Sequence, residues 1–107
     1  MEIDISGRHF EVGDALRNHI REKVAKFDKF SLKLEMVHVI LEVQKFVHLS
    51  EITALGKNLR LTARERSTDM YSAFDKSLDN MNLQLRKMHE KVKDHKGRRY
   101  NPAEKKP

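Results

Sequence analysis

The chain has 107 residues, 38% of them hydrophobic, which is enough for one core and one domain without help from a metal or a disulfide. It contains no cysteine, so disulfide frameworks, thiolate zinc sites and thiol nucleophiles are excluded and a reducing compartment is permitted. The formal charge of +6 is local: residues 1–85 carry 13 basic and 13 acidic side chains, whereas residues 86–107 carry 9 basic and 3 acidic.

Residues 2–10 alternate, Ile3 and Ile5 on one face and Glu2, Asp4 and Ser6 on the other, until Gly7 interrupts, which reads as a half-buried strand. The N-terminal stretch MEIDISGRHF lacks the charged-then-apolar layout of a signal peptide, and no apolar run approaches the ~20 residues of a membrane span, so a cytoplasmic protein is expected. From Asp14 to about Lys29, Leu16, Ile20, Val24 and Phe27 recur at steps of 4, 4 and 3, the stripe of an amphipathic helix with Gly13 or Asp14 as N-cap. LKLEMVHVILEVQKF is rich in β-branched residues, with Val37, Val39, Leu41 and Val43 on one face and a partly apolar other face, as in a central strand.

VHLSEITAL and NLRLTARER alternate more weakly and are joined by GKN, whose glycine and asparagine suit a hairpin turn. Thr68 or Asp69 then caps a long helix whose apolar stripe runs Met70, Phe74, Leu78, Met81, Leu85, Met88 and Val92. After Lys96 come Gly97 and RRYNPAEKKP, which read as a flexible tail. The expected organisation is a folded domain over residues 1–96 and a basic tail over 97–107. The order β-α-β-β-β-α predicts an α+β two-layer sandwich, a four-stranded sheet with both helices on one face, the first crossover joining parallel strands.

The sequence offers no set of catalytic residues. His9, His19, His38, His48, His89 and His95 are scattered without ligand-like spacing, and no GxSxG, HExxH, P-loop or GxGxxG occurs, so neither a metal, a cofactor nor an enzyme is expected.

What stands out is charge. Lys76, Arg86, Lys87, Lys91 and Lys93 fan across the helix half opposite or flanking the Met70–Val92 stripe, with Asp75, Asp79, Glu90 and Asp94 interleaved. Cations near a helix C-terminus also complement its dipole, but 9 in 22 residues exceed what capping requires. On the first helix Arg17 and Arg21 share a flank, and Lys23, Lys26 and Lys29 follow along the other side. Arg60, Arg64 and Arg66 alternate away from Leu59, Leu61 and Ala63, a pattern that fits charge protection of an edge strand, although three separate elements then offer cations. Phe27 and Phe74 read as core, which leaves no stacking platform for single strands and favours recognition of folded RNA through its phosphates and shape.

Two stretches, ISGRHFEVGDALRNHIREKVAKFDKF and DMYSAFDKSLDNMNLQLRKMHEKVK, resemble the N- and C-terminal signatures of the ribosome hibernation-promoting factor and ribosome-associated inhibitor family, in register across roughly residues 1–95. The resemblance implies a β-α-β-β-β-α fold similar to double-stranded-RNA-binding domains. It also implies binding to 16S ribosomal RNA of the small subunit, where mRNA and the A-site and P-site tRNAs sit, and silencing of idle ribosomes in stressed or stationary cells. Carried over by position, the RNA-facing cations are Lys23, Lys26, Arg86, Lys87, Lys91 and Lys93, to which charge alone adds Lys96, Arg98 and Arg99. GKNLRLTARERS departs from the family's glycine-rich tip and following acidic residues. The resemblance is to short members, so any pairing of ribosomes would need a separate ribosome modulation factor, and the free protein is expected to be a monomer. A general double-stranded-RNA binder and a protein-interaction regulator are the rival readings.

Overall fold

The computed structural model describes the backbone of residues 1–97 and the side chains of residues 1–92. Strand β1 (Glu2–Arg8) leads into helix α1 (Asp14–Ala25), which tightens into a 3-10 turn (Lys26–Phe30). Three strands follow, β2 (Leu34–Gln44), β3 (Val47–Gly56) and β4 (Leu59–Ser67), and then the long helix α2 (Met70–Gly97).

The sheet order is β1-β2-β3-β4. β1 runs parallel to β2, pairing Ile3 with Val37 and Ile5 with Val39, and the remaining pairs are antiparallel hairpins. Both helices pack on one face, which gives the expected two-layer α+β sandwich. The strand residues of that face include Val37, Val39 and Leu41, all at 0% exposure, with Ile52, Ala54 and Ala63 beside them. From the helix layer Ile20, Val24, Phe27, Phe74, Met81 and Leu85 close the core. Burying side chains of this size contributes roughly 1.5–3 kcal/mol each before the entropy of ordering them is subtracted.

Local chemistry sets the boundaries. Gly13 is the N-cap of α1, with the amide of Arg17 donating to its carbonyl at 3.0 Å. Asp69 caps α2 more completely, since its Oδ1 accepts from the amide of Ser72 at 2.9 Å and its carbonyl from that of Ala73 at 3.0 Å. Gly7 is required because a Cβ there would collide with the carbonyl of Phe10.

The structure corrects the sequence reading in three places. The first helix leaves α geometry at Ala25 and reaches Phe30 only as a 3-10 turn. In the β3–β4 turn the left-handed residue is Asn58 (φ 59°), and Gly56 instead serves close approach, since a Cβ there would lie 3.2 Å from the carbonyl oxygen of Lys33. The apolar stripe of α2 also ends early: Leu85 is fully buried, Met88 half-buried and Val92 40% exposed. With 28 residues, α2 is ~42 Å long and outruns the sheet beneath it.

Candidate nucleic-acid interface

The two helices run in the same direction. His19 of α1 donates from Nε2 to Asp75 Oδ1 of α2 at 3.1 Å, its ring packing against Tyr71 and Phe74. One helical length further on, His89 of α2 donates from Nδ1 to the carbonyl of Phe30 at 2.7 Å. Both helix C-termini therefore lie at the same end of the domain. The negative dipole end of α1 draws cations, and the sequence supplies Lys23 and Lys26 there.

Lys23 and Lys26 continue the flank of α1 that begins with His19, Lys23 half-buried and Lys26 exposed. Lys29 and Phe30 then face Asp79, Asn82, Leu83 and Arg86 across a shallow groove between the helices, with Lys29 Nζ 5.3 Å from the Phe30 ring centre. On the opposite flank of α2, Asn80 donates to Glu65 Oε2 and Gln84 to the carbonyl of Thr62, both at 2.8 Å, so this flank lies along β4. Lys87 and Lys91 follow on that side, beside Leu61.

The helix thus divides its cations, Arg86 facing the end of α1 and Lys87 and Lys91 facing β4. The β3–β4 turn, held against the carbonyl of Lys33, brings Lys33 and Lys57 to the same end of the domain, both exposed. Among the described residues none of these cations has a carboxylate within 4.0 Å.

Of the residues expected to face RNA, Lys23, Lys26, Arg86, Lys87 and Lys91 are brought to this end. Lys93 and Lys96 have side chains outside the described residues, and Arg98 and Arg99 lie outside them altogether. Lys29, Lys33 and Lys57 join the cluster without having been expected there. Lys29 was legible as a continuation of the Lys23–Lys26 flank, whereas Lys33 and Lys57 are single loop lysines with no sequence signal. Arg21 points elsewhere, toward Glu2 and Asp4 at the β1 edge. Phe27 and Phe74 are core, as expected, but Phe46 at the tip of the β2–β3 hairpin is 91% exposed, a surface aromatic that the sequence reading passed over. It lies at the end of the domain away from the cation cluster.

Residues 3–93 match the family model described as Sigma 54 modulation protein / S30EA ribosomal protein. The chain belongs to that family. Among its relatives, the ribosome hibernation promoting factor of Escherichia coli strain K12 is 33% identical over 95 residues, covering 89% of this chain and 100% of that protein. A Pseudomonas putida protein of the same name is 35% identical over 91 residues, covering 85% and 89%. The N-terminal domain of Thermus thermophilus Protein Y superimposes with a TM-score of 0.74 at 27% identity, covering 82% of this chain and 99% of that one. A ribosomal subunit interface protein from Coxiella burnetii shares the fold, with a TM-score of 0.76 at 22% identity over 82% and 97%. This chain is thus a hibernation-factor-family domain, recognised along nearly its whole described length.

Proposed function

We propose that this protein binds the small ribosomal subunit through the ends of α1 and α2, contacts 16S ribosomal RNA where mRNA and the A-site and P-site tRNAs bind, and so holds idle ribosomes inactive in the cytoplasm. The observation that carries the reading is the gathering of cations from both helices at one end of the domain, without carboxylate partners among the described residues, in a chain whose relatives are named ribosome hibernation promoting factors.

The mechanism is occupancy. Lys26, Lys29, Arg86, Lys87 and Lys91 neutralise phosphates and release their counterions, which drives binding with little dependence on base sequence. The folded RNA supplies the specificity through its shape. Lys23 supports the same surface, and Lys93, Lys96, Arg98 and Arg99 extend it by charge. The free protein acts as a monomer, because the apolar stripe of α1 and that of α2 as far as Leu85 are spent on the core, and pairing of ribosomes falls to a separate modulation factor.

Cell-free translation tests the reading. Synthesis should fall as the protein is added and recover as mRNA and initiator tRNA are raised. Inhibition that no amount of either relieves, or that proceeds with cleavage of ribosomal RNA, overturns it.

A further inference from the structure

The face of the sheet turned away from the helices carries charges that the helix surface leaves unexplained. Strand alternation sends Leu61 and Ala63 of β4 toward the core and puts Arg60, Arg64 and Arg66 on the open side, all exposed. Arg64 meets Glu51 at 4.0 Å, the outer limit of an ion pair, and Arg60 and Arg66 have no carboxylate in reach among the described residues. Strand geometry spaces Arg60 from Arg64 by ~14 Å and Arg64 from Arg66 by ~7 Å, with the exposed Thr62 hydroxyl between the first two. On the same face, three strands and ~14 Å away, β1 carries Glu2 and Asp4. Toward the Arg60 end the open face is therefore polarised, acidic on β1 and basic on β4, whereas at the other end Arg8 of β1 lies across the sheet from Arg66.

The geometry points to a second RNA surface along β4, where Arg60, Arg64 and Arg66 engage phosphates of an RNA segment other than the one held by the helices. This rests on the ribosome-binding reading above and adds to it a partner surface on the other side of the domain. Three arginines in line on β4 set the direction of the RNA along that strand, and Glu2 and Asp4 repel a polyanion that would cross the sheet at the Arg60 end. An acidic protein partner fits less well, because protein interfaces are built around buried apolar anchors. Around these arginines the face offers Thr53, Thr62 and Glu51, and the apolar members beside them are Leu55, paired with Arg60 and half-buried, and Leu49, paired with Arg66 and only 8% exposed. Guanidinium and hydroxyl groups are sufficient for phosphate oxygens.

The test is binding of the full chain to purified small ribosomal subunits over a range of salt concentrations. The variant Arg60→Gln/Arg64→Gln/Arg66→Gln should bind more weakly, with the magnitude of its log-affinity versus log-salt slope reduced by about 2 to 3. Lysine at the three positions should restore most of the slope. A photoreactive side chain at position 62 of the otherwise parental protein should cross-link to 16S RNA. If the glutamine variant does not fold, Arg60→Gln/Arg66→Gln keeps the Arg64–Glu51 contact and should lower the slope by about 1 to 2. Parental affinity and slope in these variants overturn the proposal, as does aggregation of the variant with unchanged binding by its monomer, the signature of edge-strand protection alone. Cross-linking to a ribosomal protein in place of RNA also overturns it. Failure of the parental protein to bind subunits would instead overturn the function proposed above.

Discussion

His89 donates its Nδ1 proton to the carbonyl of Phe30 at 2.7 Å, tying α2 to the turn that ends α1. The carbonyl can only accept, so the bond requires the proton on Nδ1. With the packing of Phe27 and Phe30 against Met81 and Leu85 in the core, this contact sets the spacing across the groove between Lys29 and Arg86.

His89→Ala should therefore cost little stability, about 0.5–1.5 kcal/mol, since the freed carbonyl is only partly buried and can turn to water. Its larger effect should be on ribosome binding, through loss of a fixed Lys29–Arg86 spacing. Thermal melts and subunit affinity measured on the same preparation check this. Equal melts and equal affinity would remove His89 from the site's support.

A second pair is buried outright. Ser77 of α2 donates to the carbonyl of Phe74 at 2.8 Å, and Ser50 of β3 lies 2.8 Å from its oxygen, both serines at 0% exposure. Because Ser77 has one proton, already committed, Ser50 is the donor between them. Ser77→Ala should strand the Ser50 hydroxyl and cost about 1–3 kcal/mol, whereas Ser50→Ala/Ser77→Ala removes both and should be milder than the sum of the singles. Denaturant melts of the three variants form the cycle, and strict additivity would show that the two hydroxyls are uncoupled.

The elements that could be read from the sequence were those in which one apolar period decides the outcome. Leu16, Ile20, Val24 and Phe27 fall on one stripe, and Val37, Val39 and Leu41 on one strand face, and all are buried where that pattern places them. Ser50 and Ser77 fall on the same kind of core-facing period, two residues before Ile52 and between Phe74 and Met81, but the hydrogen bond that pairs them across the layers is encoded by no local pattern. Val92 continues the period of α2 perfectly yet is exposed, because periodicity reports a helix face and says nothing of where the sheet beneath it ends. The same limit applies to the site. Lys26 and Arg86 were legible as exposed cations and Lys23 as their half-buried neighbour on the flank, but their approach to Lys33 and Lys57 depends on the parallel run of the helices and the packing of a turn against a loop, both set by tertiary contacts.

The early end of the core stripe makes its own prediction. Leu85→Ala empties a fully buried position and should cost roughly 2–5 kcal/mol, while Val92→Ala, at a position 40% exposed, should stay within about 0.5 kcal/mol. Chemical denaturation distinguishes them readily. A large loss at Val92 would mean that the core extends past the sheet.

The charge at the end of α2 answers to the same separation of stability from binding. Arg86, Lys87 and Lys91 are exposed, and among the described residues no carboxylate lies within 4.0 Å of them. Replacing the three by glutamine should thus leave the melt within about 0.5 kcal/mol per site. If they neutralise ribosomal phosphates, the variant should bind subunits more weakly, and the salt slope should shrink by about 2 to 3. The stability variant Leu85→Ala should show the reverse signature, a lowered melt with the salt slope of its folded fraction unchanged. Melts and affinities at several salt concentrations for both variants separate the two causes. A glutamine variant that melts normally and binds with parental affinity and slope would show that the cations merely solvate the helix, leaving the ribosome to be held by some other surface.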